Sequence, residues 1–310
     1  METQSRYRID TLGTAAIVTS LFCWTAGPIF IRYLTGFLDA WTQNFLRYSA
    51  AAAFWLPFLV VCICRGNFEK RIWKIALLPA AANVLMQCFW AQAFYYAEPA
   101  FVNLLAKSSV VWVAALSIIF FPEERGVLTS RRFRIGVVLS VIGVVGVAVF
   151  KEDFTARATI IGIALSLCCG AAWGMYTVSA RWAFSNSDSR LGFAVTCLYS
   201  TLCLAGLAFM FGRPGQALEM SVRPWACVII SGLVAIAFAH VLFYAAMRRL
   251  GAAIPSVAIL VLPFTVLIVS HIVFGETINL PQLIFGVVLI SGASAAVMAQ
   301  QHLGRKEDGQ

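Results

Sequence analysis

Lys107 and Asn103 stand four residues apart in an otherwise apolar stretch, a spacing that puts both on one face of a helix. A charge inside hydrocarbon is costly, so an intramembrane lysine marks a functional position. Here it suits an anion such as a substrate carboxylate. Arg47, close to Asn44 and Tyr48 in an earlier apolar stretch, carries a planar fork that can grip a carboxylate through two parallel hydrogen bonds. Each cation also has a plainer reading, in which its long side chain carries the charge back to the membrane interface. Spacing leaves the two readings of Lys107 open. For Arg47 the interfacial reading, or a structural bond to a carbonyl, is the expectation.

A second set surrounds these. Asn83, Gln87 and Trp90 recur at intervals of four and three, forming one polar and aromatic helix face. Trp24, Trp112, Trp173, Tyr176, Tyr95 and Tyr244 lie in other apolar stretches and can present rings with polar edges to an aromatic ligand. Trp41, Trp73, Trp182 and Trp225 sit at stretch ends and read as an interfacial belt. Tyr95 and Tyr244 fit either role. Trp24 and Trp173 lie too deep for the belt and are either site rings or packing. His240, deep in its stretch, titrates near neutrality and is a candidate proton carrier, although a hydrogen-bonded structural histidine is the commoner case.

These residues are positioned by membrane helices. Of the 310 residues, 61% are hydrophobic and 12% charged, against roughly 25% charged in a soluble domain. A soluble fold of this composition cannot cover its surface. Apolar runs of about 20 residues fall near 12–33, 40–64, 73–95, 99–121, 133–150, 158–182, 191–211, 224–247, 252–274 and 282–300. Their apolar faces are continuous rather than alternating, so they are helices and not barrel strands. The first run is too long for a signal core and no small-residue cleavage site follows it, which makes it an uncleaved span. Glu98 and Pro99 separate the third and fourth runs, since proline opens a helix well and interrupts one badly.

With the N-terminus in the cytoplasm, 16 Lys and Arg fall in cytoplasmic segments and five outside, which favours ten spans with both termini inside. That distribution accounts for the +9 net charge without nucleic acid, because no basic run is interleaved with stacking aromatics. All 14 Asp and Glu fall in tails, loops or span ends. A carrier of lipophilic cations needs a buried acid, so that class is disfavoured. Pro28, Pro255 and Pro263 are candidate kinks, and Gly170 and Gly174 have the spacing of close helix packing. The nine cysteines lack zinc-site spacing; no metal, cofactor or disulfide is expected. No HExxH, GxSxG or mid-span pair of acids supports an intramembrane enzyme.

Shifting the chain by 149 residues lays Gly13 on Gly162, Trp24 on Trp173, Arg32 on Arg181, Tyr95 on Tyr244 and Ala97 on Ala246. A shift of 150 lays residues 136–139 on 286–289, and one of 153 lays Phe121 and Glu123 on Phe274 and Glu276. The pattern predicts a duplication, residues 1–151 and 152–310, with five spans in each half. Because five is odd, the second copy is inverted, the arrangement of alternating-access transporters with a midplane site.

On these residues, together with Pro263, the FGET run at 274–277 and the glycine-spaced spans at 136–146 and 286–292, the chain resembles the drug/metabolite transporter superfamily and its ten-span EamA-type exporters. Within that group it is similar to the YddG-type exporters of aromatic and other neutral amino acids. The first half departs from the second, with Pro122 to Glu124 facing Gly275 to Thr277 and Val110 facing Pro263. The resemblance implies an all-α, multi-pass protein of the bacterial inner (plasma) membrane. It implies export of a small-molecule substrate, an amino acid or another small anionic or drug-like metabolite. The lipid bilayer is the expected partner, and protons are a candidate coupling ion.

Overall fold

The computed structural model describes residues 11–121, 130–150, 156–250, 252–275 and 279–307. Among these the regular structure is entirely helical. The helices are α1 Thr11–Leu34, α2 Ala40–Cys64, α3 Arg71–Ile75, α4 Leu77–Ala93, α5 Pro99–Ala106, α6 Ser109–Phe120, α7 Arg131–Val149 and α8 Ala156–Phe184. They continue as α9 Ser189–Phe211, α10 Val222–Ser231, α11 Ala239–Leu250, α12 Ala253–Ala258, α13 Leu262–Phe274 and α14 Leu280–Glu307. Six segments are long and apolar enough to cross a membrane: Thr11–Leu34, Ala40–Cys64, Arg71–Ala93, Ile160–Phe184, Ser189–Phe211 and Val222–Leu250. Six such segments among the described residues make a polytopic membrane protein. Phe22, Phe209, Met210 and Ile272 stand exposed, as befits a lipid-facing surface, whereas Gln43, Asn44, Asn83, Asn103 and Thr196 are buried. Hydrocarbon gives polar groups no partner, so they turn inward.

Local chemistry sets the helix ends. Asp39 caps α2, its carboxylate accepting from the Trp41 and Thr42 amides at 2.9 and 3.0 Å. Ser130 caps α7 through the Phe133 amide, Asp188 caps α9 through the Arg190 amide, and Pro99 opens α5. Gly275 closes α13 at φ +68°, a left-handed turn that glycine adopts without penalty. Thr277 and Glu276 of the FGET run, and Pro122 to Glu124 of its first-half counterpart, lie outside the described residues.

Three stretches read as continuous helices from sequence are interrupted. Turn residues Lys107 and Ser108 separate α5 from α6. A 3-10 turn, Ile259–Val261, separates α12 from α13; Pro263 follows, and its missing N–H and ring exclude the regular bond to the carbonyl four residues back. Between α10 and α11 the chain winds as a π segment, Gly232–Phe238. Side chains from other helices bond carbonyls at its end: Trp55 Nε1 donates to Ala237 at 3.1 Å and Ser20 Oγ to Ala239 at 2.8 Å. Pro28, a candidate kink, lies within an α1 assigned as unbroken.

Positions related by the sequence offset meet in space. Trp24 and Trp173 touch edge to face with centroids 5.3 Å apart, and the Cys197 thiol lies 3.9 Å from the Tyr48 carbonyl. In the pairing of α7 with α14, a Cβ on Gly143 would fall 2.6 Å from the Leu289 nitrogen, and one on Gly292 would fall 2.6 Å from the Ser140 nitrogen. These two contacts are reciprocal under the offset. Backbone stands where a side chain would go, so enlargement forces the helices apart. Gly292→Val is expected to cost about 1–3 kcal/mol, read as a lower unfolding midpoint of the detergent-solubilised protein. Gly206→Ala, where nothing lies within 4 Å, serves as the control; equal midpoints for the two variants would refute the packing argument.

Candidate functional site

A cavity sits where the three interrupted helices converge. Its wall takes Trp24 and Pro28 from α1, Arg47 from α2, Gln87 and Trp90 from α4, Asn103 from α5 and Lys107 from the break that follows. Cys169 and Trp173 of α8, Ile236 of the π segment, His240 of α11, Ile259 of the 3-10 turn and Leu262 of α13 complete it. Each interruption therefore faces the cavity, and irregular backbone at membrane depth is tolerated when it is buried in protein or lines such a space. The water-accessible volume is about 70 Å³, room for about five waters at roughly 15 Å³ each.

Why these residues face inward follows from the packing. Gly170 lets α8 lie against the break: a Cβ there would come 2.4 Å from Ser108 Oγ and 3.0 Å from the Ala106 carbonyl. One turn on, Gly174 would meet Trp112 at 2.6 Å, so the pair gives the close approach that its spacing suggests. Lys107 is held at the break and only 8% exposed. Arg47 is 3% exposed, and its Nε donates to Ser231 Oγ at 2.8 Å. Neither cation reaches the surface, which overturns the interfacial reading of Arg47. The charge stays inside because the first turn of the π segment passes directly over the Arg47 backbone. A Cβ on Gly232 would stand 2.5 Å from its carbonyl.

His240 is enclosed by rings. Its centroid lies 5.3 Å from Trp24, 5.9 Å from Tyr176 and 5.2 Å from Phe193, the last stacked at 20°. Its Nδ1 is 3.1 Å from the Ile236 carbonyl. A carbonyl only accepts, so Nδ1 carries the proton, and Nε2 of the neutral ring is an acceptor. Arg47 Nη1, Asn103 Oδ1, Trp173 Nε1 and His240 Nε2 are buried polar atoms with no hydrogen-bond partner among the described residues. All four belong to residues of the cavity wall. Among those wall residues the formal charges are Arg47 and Lys107, with no carboxylate.

Of the residues singled out from sequence, Lys107, Asn103, Gln87, Trp90, Trp24, Trp173 and His240 come together on this wall. Asn83 does not. Its Nδ2 donates to Ser200 Oγ at 2.8 Å and to the Tyr48 hydroxyl at 3.0 Å, joining α4 to α9 and α2. Tyr176 stands behind Trp173, in edge contact at 5.7 Å. The Tyr95 hydroxyl donates to the Leu38 carbonyl and accepts from Gln43 Nε2, tying the end of α4 to the turn between α1 and α2. Tyr244 lines a separate opening with Arg181, Ser185 and Arg248. Trp112 is 47% exposed and faces away from the site. Arg47 is the cavity residue that sequence reasoning assigned elsewhere. Asn44 gave no usable signal, because its Nδ2 is spent on the Gln87 carbonyl at 2.7 Å.

Residues 11–149 and 160–298 each match the EamA-like transporter family, two segments that begin 149 residues apart. An uncharacterized transporter of Archaeoglobus fulgidus is 27% identical over 292 residues, spanning 94% of this chain and 98% of its own. A solved crystal structure superposes with a TM-score of 0.66 over 92% of this chain and 97% of that one. At 17% identity it supports the fold alone.

The site geometry separates Asn83 from its helix neighbour Gln87. Asn83→Leu strands the Tyr48 and Ser200 hydroxyls and should lower stability by about 1–3 kcal/mol, while the folded fraction keeps its half-saturation for cargo. An altered half-saturation with unchanged thermal midpoint would place Asn83 in the site instead.

Proposed function

The chain belongs to the EamA-like transporter family, and from that premise we propose that it is a secondary transporter exporting small carboxylate-bearing solutes across the inner (plasma) membrane. Neutral and aromatic amino acids, the cargo implied by the resemblance to YddG-type exporters, are the first to test. The observation that carries this reading is the central cavity, where Lys107 and Arg47 meet the rings of Trp24, Trp90 and Trp173 beside interrupted helices. Lys107 is the proposed anchor for the carboxylate, and the tryptophan faces are the proposed seat for an apolar side chain.

Alternating access supplies the movement. Ten crossings, read as two five-span repeats at 1–151 and 152–310, place the second repeat upside down relative to the first. Support comes from the spacing of the two family-matched segments and from the reciprocal contacts of Gly143 with Leu289 and Gly292 with Ser140. In such a pair of halves, related contacts at the two ends of the cavity form in turn. Tyr95 holds its bond to Leu38, whereas Tyr244, its mate under the offset, packs among Tyr176, Phe184 and Phe193. Unequal contacts at related positions suit an exchange between two conformers.

His240 is the candidate for a coupled proton, since its ring stands in the wall beside the cargo. An export route without proton coupling works with the same wall. An intramembrane enzyme is the distant alternative, and the cavity wall offers no acid to a nucleophile or base.

The test is efflux from proteoliposomes loaded with labelled amino acids, with and without a pH gradient. Flux is expected for one or more neutral amino acids, and Lys107→Met should lower it at least tenfold while insertion is unchanged. No flux for any amino acid would sink that cargo. Flux indifferent to the gradient would remove His240 as an obligate proton carrier, and unchanged flux in Lys107→Met would remove the lysine anchor. Tyr95→Phe should raise labelling of cavity Cys169 by an impermeant thiol reagent from outside, in a variant whose other cysteines are replaced.

A further inference from the structure

We infer that the cavity selects a net anion: a carboxylate whose molecule carries no ammonium to balance it. The inference rests on the reading of this cavity as the cargo site for carboxylate-bearing solutes; within that class it ranks unbalanced carboxylates first and leaves the amino acids as weaker substrates. Two cations, Arg47 and Lys107, project from the wall, and the wall contains no Asp or Glu. Both are at least nine-tenths buried, so water does little to screen them. Burying a charge without a partner is expensive, and the partner missing from the protein is one the cargo can bring.

The donors fit that role. Arg47 is fixed through Nε on Ser231 Oγ at 2.8 Å, and Ser231 Oγ in turn donates to the Val228 carbonyl. This leaves Nη1, which has no hydrogen-bond partner among the described residues, for an incoming oxygen. Trp173 Nε1 is a second such donor and can only donate. Against them stand two neutral acceptors, Asn103 Oδ1 and His240 Nε2. Either would serve a hydroxyl or an amide N–H. Neither offsets a third positive charge placed beside Arg47 and Lys107 in a space of about 70 Å³, where like charges at short range repel strongly. A zwitterion carries its ammonium two bonds from its carboxylate carbon, so it cannot present one group and withhold the other.

The charges are also lopsided. Both cations come from the first half of the chain; the positions 149 residues further on, Thr196 and Ser256, are uncharged. Among the wall residues the field is therefore built by α2 and the break after α5.

Binding of three probes with one ring decides the matter: 3-phenylpropionate, phenylalanine and phenethylamine, a monoanion, a zwitterion and a cation. Quenching of tryptophan fluorescence in the purified protein at neutral pH reads affinity, and proteoliposome uptake reads transport. The monoanion is expected to bind at least tenfold tighter than phenylalanine, with phenethylamine not bound. Arg47→Gln and Lys107→Gln should each shrink that preference at least tenfold, and the double variant should admit the amine. Phenylalanine binding as tightly as 3-phenylpropionate, or a preference unmoved in both single variants, overturns the inference. Should Arg47→Gln fail to fold, Arg47→Lys keeps the charge and must keep the preference, while Lys107→Gln and the wild-type series carry the decision. The two readings fail separately. Monoanion binding without transport of any solute would refute the export reading and leave the selectivity intact, whereas transport of phenylalanine with 3-phenylpropionate ignored would do the reverse.

Discussion

Hydrocarbon offers no hydrogen bonds, and the rest of this structure answers to that constraint. Each polar side chain within a span has to find its partner in another helix or face a space that water and cargo can occupy. Most find partners. Asn83 bonds Tyr48 and Ser200, Asn44 bonds the Gln87 carbonyl, and Trp55 and Ser20 reach the carbonyls freed by the π segment. Those with no partner among the described residues include Arg47 Nη1, Asn103 Oδ1, Trp173 Nε1 and His240 Nε2, which meet around one cavity. These four atoms give the proposed cargo site its free donors and acceptors.

The same constraint accounts for where the helices break. A broken turn exposes backbone groups, and at membrane depth it survives only in contact with protein or a polar cavity. The break at Lys107 and Ser108, the turn at Ile259–Val261 and the π segment Gly232–Phe238 all border the cavity. Interrupted helices move more readily than regular ones, because part of their bond ladder is already open.

Much of this was readable from residue order. Helices followed from apolar run lengths, and the start of α5 from Pro99, whereas the caps Asp39, Ser130 and Asp188 emerged only in the structure. The pairing of Trp24 with Trp173 was visible as one offset. Lys107, Asn103, Gln87 and His240 were recognisable as charged or polar groups with no business in lipid. Arg47 was misplaced because a side chain of its length can reach either the interface or the core, and its fixing partner, Ser231, lies 184 residues away. Asn83 and Gln87 share a helix face by spacing, yet one spans to α9 while the other meets the cavity. Spacing gives the face and not what stands opposite it.

The amino-acid order by itself determined that the chain crosses a bilayer many times, that its acids stay out of the interior, and which few polar residues enter it. It did so because hydrophobicity and charge act locally, through the environment each segment tolerates. The tertiary structure alone decided that Arg47 and Lys107 share one cavity, that Asn83 is a strut, and that a helix without proline breaks after Ala106. Those outcomes depend on close approaches between distant segments. Gly170 against the break and Gly232 against Arg47 are set by how whole helices fit, and no single stretch of chain contains that information.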